Sequence, residues 1–175
     1  MPSRKFYPAA GLLLLVLLLW PGGCKKTLTT AIIDGPGQEA IGVTLNPSSA
    51  GPDTVITVSA AIQGNSQEIR VFGLEMTFDT KMLQFQGLSK GSLTGGWETV
   101  DGNEISPGQL RVGGFAGGGA SIAKDSKGPL VDLQFKVTGQ AYGNGQQVQV
   151  CITNYSDDIS ALKPDPACAA FTLKK

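Results

Sequence analysis

The sequence predicts an all-β fold, a nine-stranded β-sandwich with jelly-roll topology. Three observations support this prediction. Beyond residue 40, apolar and polar residues alternate with a period of two, and turn-forming residues interrupt the alternation roughly every 8–15 residues. No segment keeps apolar residues at helical spacing for more than about one turn. The 24 glycines and 10 prolines also favour a loop-rich β protein over a helical one.

Nine segments carry the strand pattern. The clearest is 71–78, in which Phe72, Leu74, Met76 and Phe78 would point into the core and the residues between them outward. The predicted strands are, in chain order, 41–45, 54–61, 71–78, a strand starting at 83, 97–100, 110–116, 130–138, 147–152 and 169–173. This number and spacing are typical of β-sandwiches and jelly rolls, which serve many functions, so the pattern predicts fold class alone.

Residues 1–23 are predicted to be a signal peptide. A basic start precedes eight consecutive aliphatic residues at 12–19, too few for a bilayer, which needs about 20. The Gly-Gly-Cys ending resembles the lipobox of bacterial lipoproteins, which implies acylation of Cys24. Cleavage by the ordinary signal peptidase is the alternative, since Pro21 stands where lipoboxes usually carry Leu.

Residues 24–40 are then a lipidated N-terminus and flexible tether, and residues 41–175 are the domain. The resemblance implies an exported protein that is anchored to a bacterial membrane through its lipid. Lys25 follows Cys24, whereas lipoproteins retained at an inner membrane often carry Asp there. The outer membrane or cell surface is therefore favoured.

Three cysteines are an odd number for an exported protein. If Cys24 carries the lipid, Cys151 and Cys168 remain, and a disulfide between them is the expected use in an oxidising compartment. This bond would stabilise the fold by about 3 kcal/mol on the loop-entropy model. A free thiol nucleophile is the alternative, but no histidine is present to activate it.

Charge and histidine content exclude several functions. The chain has 14 basic residues, 14 acidic residues and no histidine, which excludes Ser-His-Asp and Cys-His nucleophiles and His-ligated zinc or haem. No excess of positive charge marks a nucleic-acid interface. Loss of residues 1–23 removes Arg4 and Lys5 and no acid, which leaves 12 basic and 14 acidic residues. We expect no enzymatic activity, cofactor or metal in this chain.

Carboxylates are the catalytic groups that this composition still allows. The pairs Asp101 with Glu104 and Asp157 with Asp158 would suit a glycosidase, but both lie in turn-rich segments, where a solvated turn explains them. Asp157, Asp158 and Asp165 could also ligate Ca²⁺, although they lack the alternating spacing of a calcium loop.

Glycines and aromatic residues offer two further candidates. The glycine-rich run at 113–119 is followed by neither a Lys-Ser/Thr pair nor a predicted helix, so it does not meet the requirements of a phosphate-binding loop. Trp97, Tyr142 and Tyr155 could stack on sugars, or they could pack in the core or at its rim.

Four blocks, in the expected order and at fitting distances, resemble the cohesin domain, the scaffold-borne receptor module of cellulosome-type assemblies. GPDTVITV at 51–58 resembles the family's Gly-Asp-Thr-Val-x-Val strand opening. FGLEMTFDTKML at 72–83 resembles its alternating strand that ends Tyr-Asp-Pro-x-x-Leu. PGQLRVGGFA at 107–116 and GPLVDLQFKV at 128–137 resemble later strands.

The resemblance implies a jelly roll whose first and last strands lie together. It also implies a non-catalytic function, in which one sheet face binds a dockerin, a small calcium-loaded helical module attached to an enzyme. Calcium is thus expected on the partner and not on this chain. The binding sheet would contain 71–78, 97–100, 110–116 and 130–137. Alternation nominates the outward residues Val71, Gly73, Glu75, Thr77, Arg111, Gly113, Phe115, Asp132, Gln134 and Lys136.

Val71 and Gly73 stand where the best-studied class of the family has Asn and Asp, so either partner specificity differs or dockerin binding is absent. Val71 and Phe115 beside Gly73 and Gly113 would form a flat, partly apolar patch of the kind that marks interfaces; an ordinary solvent face is the alternative. We expect recognition of a dockerin-like module in extracellular polysaccharide-degrading or surface assemblies. Direct polysaccharide binding is the first alternative and a carboxylate-pair glycosidase the second.

Overall fold

Two β-sheets packed face to face make up the described part of the chain, residues 39–138 and 143–174 of a computed structural model. The strands are β1 (Ala40–Asn46), β2 (Ser49–Ala50), β3 (Val55–Gly64), β4 (Val71–Phe78), β5 (Leu83–Lys90), β6 (Thr99–Ser106), β7 (Gln109–Phe115), β8 (Gly128–Val137), β9 (Gln147–Asp157), β10 (Lys163–Pro164) and β11 (Cys168–Leu173). Within these residues nine strands have six or more residues, and β2 and β10 have two each. The predicted all-β sandwich is confirmed.

The strand order explains how the two ends of the domain meet. The five-stranded sheet has the order β10-β1-β3-β8-β5, and the six-stranded sheet has the order β2-β11-β9-β4-β7-β6. β1 pairs with β3 and β10, and the chain then crosses to the other sheet, where Ser49 of β2 lies opposite Thr172 of the last strand. β1 also lies close to β11, so the implied adjacency of the first and last strands holds, and β2 is the segment that pairs with the last strand.

The core lies between the sheets and takes one side of every long strand except the edge strand β6. On β4, Phe72, Leu74, Met76 and Phe78 are buried, which confirms the predicted alternation. The Phe78 ring packs against Phe135 of the opposite sheet with centroids 5.0 Å apart. Each buried side chain of this size contributes about 2–3 kcal/mol of hydrophobic stabilisation. The outward residues of β4 consequently stand on a well-packed platform.

One part of the predicted binding sheet is wrong. β8 pairs with β3 and β5 along its length, so Asp132, Gln134 and Lys136 belong to the five-stranded sheet. There Asp132 accepts a hydrogen bond from Ser59, and Lys136 Nζ lies 2.8 Å from Asp53 Oδ1. Alternation identified their outward orientation correctly but carried no information about which sheet β8 joins.

The predicted strand 97–100 is also misplaced, because β6 begins at Thr99 and continues through the supposed turn to Ser106. Trp97 precedes the strand and is buried, with its ring 5.7 Å from that of Phe72. β6 lies at the edge of its sheet and pairs with β7 alone, so its polar residues can face water on both sides. Because both of its sides can be polar, β6 lacks the apolar alternation from which the strand could have been predicted.

The predicted signal peptide, Cys24, nearly all of the tether and Tyr142 lie outside the described residues; Ala40, the last tether residue, begins β1. In the described ranges, no helix has the length and hydrophobicity needed to cross a membrane.

Candidate functional site

The outward side of β9, β4, β7 and β6 forms one continuous surface, here called the recognition face. Because the four strands are neighbours in register, their outward residues line up in rows that run across the strands. The face comprises Val71, Gly73, Glu75, Thr77, Thr99, Asp101, Asn103, Gln109, Arg111, Gly113, Phe115, Cys151, Asn154 and Ser156.

The first row is apolar. Val71, the first residue of β4, lies opposite Phe115, the last residue of β7, and Phe115 lies opposite Thr99 on the edge strand. Phe115 is 54% exposed, although a phenylalanine on a solvent face gains nothing from water. An exposed aromatic on a rigid strand is a typical anchor for a protein partner.

The second row contains two glycines that create a dip in the surface. Gly73 lies opposite Gly113, between Asp101 on β6 and Ser156 on β9. A Cβ atom added to Gly73 would overlap with the Ser156 hydroxyl, so the β9 side chain leans over the glycine. A partner can therefore approach the backbone more closely at Gly113, where an added Cβ atom would meet only the Phe72 carbonyl oxygen, than at Gly73.

The third row carries an ion pair. Arg111 lies opposite Glu75, with Arg111 Nη2 2.8 Å from Glu75 Oε1, and the polar Asn103 and Asn154 flank the pair. The Arg111 side chain is 63% exposed and that of Glu75 is 37% exposed. Such an exposed pair adds little to stability, so its importance would lie in orienting the guanidinium toward a partner.

A shallow depression of about 70 Å³ lies between the second and third rows on the β9 side. It is lined by Gly73, Leu74, Glu75, Arg111, Asn154, Tyr155 and Ser156. Its size suits one protruding side chain of a partner and not a buried small substrate, because ligand pockets are usually about 300–1,000 Å³.

The fourth row holds the predicted disulfide, which is confirmed. Thr77 lies opposite Cys151, and Cys151 lies opposite Cys168 on β11, with the two cysteine Cα atoms 4.0 Å apart. The bond joins neighbouring strands on the outward side of the sheet, and Cys168 is exposed. It fastens β11 to β9 next to the face.

Sequence reasoning missed the β9 side of the face. The period-two pattern of β9 fails after Ile152 because Thr153 forms a bulge, in which its hydroxyl donates a hydrogen bond to the Glu75 carbonyl oxygen. The bulge places Asn154 and Ser156 on the face and turns Tyr155 inward against the core. A run of non-alternating polar residues inside a strand was the one available signal.

Charged groups lie at the rim of the recognition face beside Val71. Asp158 Oδ2 accepts hydrogen bonds from the backbone N–H groups of Arg70 and Val71 at 2.8 and 3.1 Å. The Arg70 side chain is paired with Glu68 at 2.9 Å. A hydrogen bond from Ser121, followed by the hydrogen bond and charge of Arg70, holds the pKa of Glu68 below its usual value.

The geometry does not support the glycosidase pairs. Asp101 lies opposite Gly113 and Glu104 opposite the buried Leu110, so the two carboxylates leave opposite sides of β6. Asp158 is engaged with backbone N–H groups, as described above, and its neighbour Asp157 accepts a hydrogen bond from Ser156.

No group of three or more His, Cys, Asp or Glu residues that could hold a metal occurs in the described ranges. The sugar-stacking platform is likewise not assembled, since Trp97 is buried and Tyr155 packs against the core. The glycine run splits between β7 and a loop in which Gly118 and Gly119 have φ values of 62° and 83°. No helix follows it in the described residues.

The fold and the site together define a class: a β-sandwich that presents a flat sheet face instead of a cleft. Among known families, the cohesin domain model matches residues 41–164 of this chain. The chain belongs to the cohesin family. None of the curated protein sequences compared with the chain matches it.

Solved structures show the same fold. The sixth cohesin of scaffoldin B from Acetivibrio cellulolyticus, in complex with a Cel5 dockerin mutant, has a TM-score of 0.61 and 16% identity over 79% of this chain and 99% of that chain. The OlpC cohesin of a Clostridium thermocellum complex with Doc435 has a TM-score of 0.62 and 12% identity over 79% and 96%. A non-cellulosomal cohesin from the archaeon Archaeoglobus fulgidus has a TM-score of 0.58 and 15% identity over 79% and 93%.

Proposed function

We propose that this chain is a non-catalytic binding module whose recognition face captures a dockerin-like protein module. The observation that carries the proposal is the continuous outward face of β9, β4, β7 and β6, with the exposed Phe115 and Arg111, in a member of the cohesin family. Two of the similar cohesins described above were solved with dockerins bound. The calcium of the complex would belong to the dockerin, and this chain would need no cofactor.

The chemistry of the face indicates what its partner should present. An apolar side chain would cover Val71 and Phe115, and a carbonyl or carboxylate oxygen would accept from the exposed Arg111 guanidinium. The two sites are four residues apart along β4, about 13 Å. Two turns of an α-helix rise about 11 Å, so one helix laid along the strands can reach both.

This arrangement accounts for the unusual residues Val71 and Gly73. They remove the polar side chains of the best-studied cohesins and replace them with an apolar contact and a dip. A partner that relies on polar contacts to amide and carboxylate side chains at these two positions would lose those contacts here. We therefore propose a dockerin whose contacting helix is more apolar at this point.

We also propose that the protein is exported and anchored to the membrane through lipid on Cys24, so that the domain holds its partner at the outer membrane or cell surface. Assemblies that degrade extracellular polysaccharides are the proposed setting. Metabolic labelling with a palmitate analogue tests the anchor: label is expected in the wild-type protein and absent from Cys24→Ser. Equal labelling of both would contradict it.

Direct carbohydrate binding is less well supported. Sugar platforms use exposed aromatic rings, and in the described residues Phe115 is the exposed aromatic side chain. One ring beside an ion pair is a small platform for a polysaccharide.

The test is calorimetric titration of the mature chain with calcium-loaded dockerins, including those of the solved complexes, alongside retention assays on cellulose, chitin and xylan. We expect micromolar or tighter binding to at least one dockerin and no retention on the polysaccharides. Retention without dockerin binding would overturn the proposal in favour of a carbohydrate-binding module. Hydrolysis of chromogenic glycosides would overturn its non-catalytic character.

A further inference from the structure

Asp158 lies just beyond β9, where its carboxylate binds the backbone at the start of β4, and it is not itself among the residues proposed above to touch the partner. β4 and β9 pair from Phe78 as far as Phe72, which lies opposite Asp157. Asp157 has a positive φ of 63°, and the chain leaves the sheet there. β9 therefore has no backbone carbonyl left to accept from the next N–H groups of β4.

The Asp158 carboxylate supplies the hydrogen-bond acceptor that a further residue of β9 would otherwise have provided. Its Oδ2 accepts from Val71 N at 3.1 Å and from Arg70 N at 2.8 Å, and hydrogen bonds to an ionised acceptor are stronger than neutral ones. The next residue, Ile159, is fully buried, so the carboxylate is held from a fixed point in the core. On the other side of β4, Ala116 N donates to the Arg70 carbonyl.

We propose that Asp158 is a positioning residue for the recognition face: it fixes the first residue of β4 so that Val71 and Phe115 form one apolar surface. The inference rests on the proposed function, because the surface matters only if a partner uses it. Asp158 itself would make no contact with the partner. Without it, Val71 would be held by β7 alone, and the apolar row would have to be ordered at the moment of binding, which costs affinity.

Two substitutions separate this role from general stability. Asp158→Ala removes the acceptor, whereas Asp158→Asn retains a carbonyl oxygen that can accept the same hydrogen bonds without the charge. Asp157→Asn is the matched control, because it removes the neighbouring charge and Asn tolerates a positive φ.

The first measurement is amide hydrogen exchange of the unbound domain, which requires no partner. Asp158→Ala should speed exchange of the Arg70 and Val71 amides about tenfold, with Asp158→Asn between Asp158→Ala and the wild type and Asp157→Asn unchanged. Exchange within about twofold of the wild type in Asp158→Ala would overturn the inference.

The second measurement is dockerin affinity in a double-mutant cycle. Asp158→Ala should weaken binding about fivefold, Asp158→Asn should restore part of the loss, and the effect should shrink in the Phe115→Ala background because both act through the same row. Unchanged affinity despite faster exchange would also overturn the inference. If the wild-type chain bound no dockerin, the proposed function would fail, while the exchange data would still decide whether Asp158 orders β4.

Discussion

Gly113 and Gly114 of β7 show how single residues decide between core and partner surface. Gly113 lies opposite Gly73 on the recognition face, whereas Gly114 lies opposite Phe72 and faces the core. A Cβ atom on Gly114 would overlap with the Phe72 ring, but one on Gly113 would stand 3.3 Å from the Phe72 carbonyl oxygen. The sequence alone identified the glycine run and not this division of roles.

We predict that Gly114→Ala lowers the free energy of unfolding by about 1–3 kcal/mol, because the added methyl group forces the buried Phe72 ring to move. Gly113→Ala is the matched control and should cost clearly less. Urea denaturation of both variants measures the difference. A larger loss for Gly113→Ala would mean that the register of β7 is shifted by one residue.

At the scale of elements, the sequence predicted best those strands that have one buried and one solvent face. β4 is the clearest case, since Phe72 to Phe78 alternate without a break. β6 was missed beyond residue 100 because an edge strand exposed on both sides needs no apolar pattern. The sheet to which β8 belongs follows from long-range pairing, which no local pattern encodes.

In β9, likewise, only part of the strand could be predicted from the local sequence pattern. Its first half alternates and was predicted, but the bulge at Thr153 shifts the phase and hides the contribution of Asn154 and Ser156 to the recognition face. Tyr155, a candidate for sugar stacking, points inward for the same reason.

The disulfide between β9 and β11 supports a prediction about stability. Replacing both Cys151 and Cys168 by Ser should lower the free energy of unfolding by about 3 kcal/mol. The disulfide joins residues 17 positions apart, and without it the unfolded chain gains conformational entropy. Denaturation of the wild-type protein with a reductant present should give the same loss. Intact-mass analysis should show a gain of two hydrogen atoms on reduction, and equal stabilities of the variant and the wild type would contradict the structural role.

At the scale of the whole molecule, dependence on calcium should distinguish this chain from its proposed partner. Since the described residues hold no metal-binding cluster, a chelator should leave the thermal unfolding midpoint of the isolated domain unchanged. The same chelator should abolish capture of a dockerin, whose fold would depend on the ion. A lower midpoint for the isolated domain would show that this chain binds calcium itself.

The central claim is that one face of the sandwich recognises a protein and the other does not. The two faces offer matched residues: Phe115 and Val55 are 54% and 53% exposed, and the ion pairs Arg111–Glu75 and Lys136–Asp53 both measure 2.8 Å. A double variant on each face therefore removes similar groups.

The most direct test is calorimetric titration of a calcium-loaded dockerin into wild-type protein, Phe115→Ala/Arg111→Ala and Val55→Ala/Lys136→Ala. We predict that the recognition-face variant loses about a hundredfold in affinity and that the opposite-sheet variant stays within about twofold of the wild type. Equal affinity of the recognition-face variant and the wild type, or a greater loss in the opposite-sheet variant, would contradict the account.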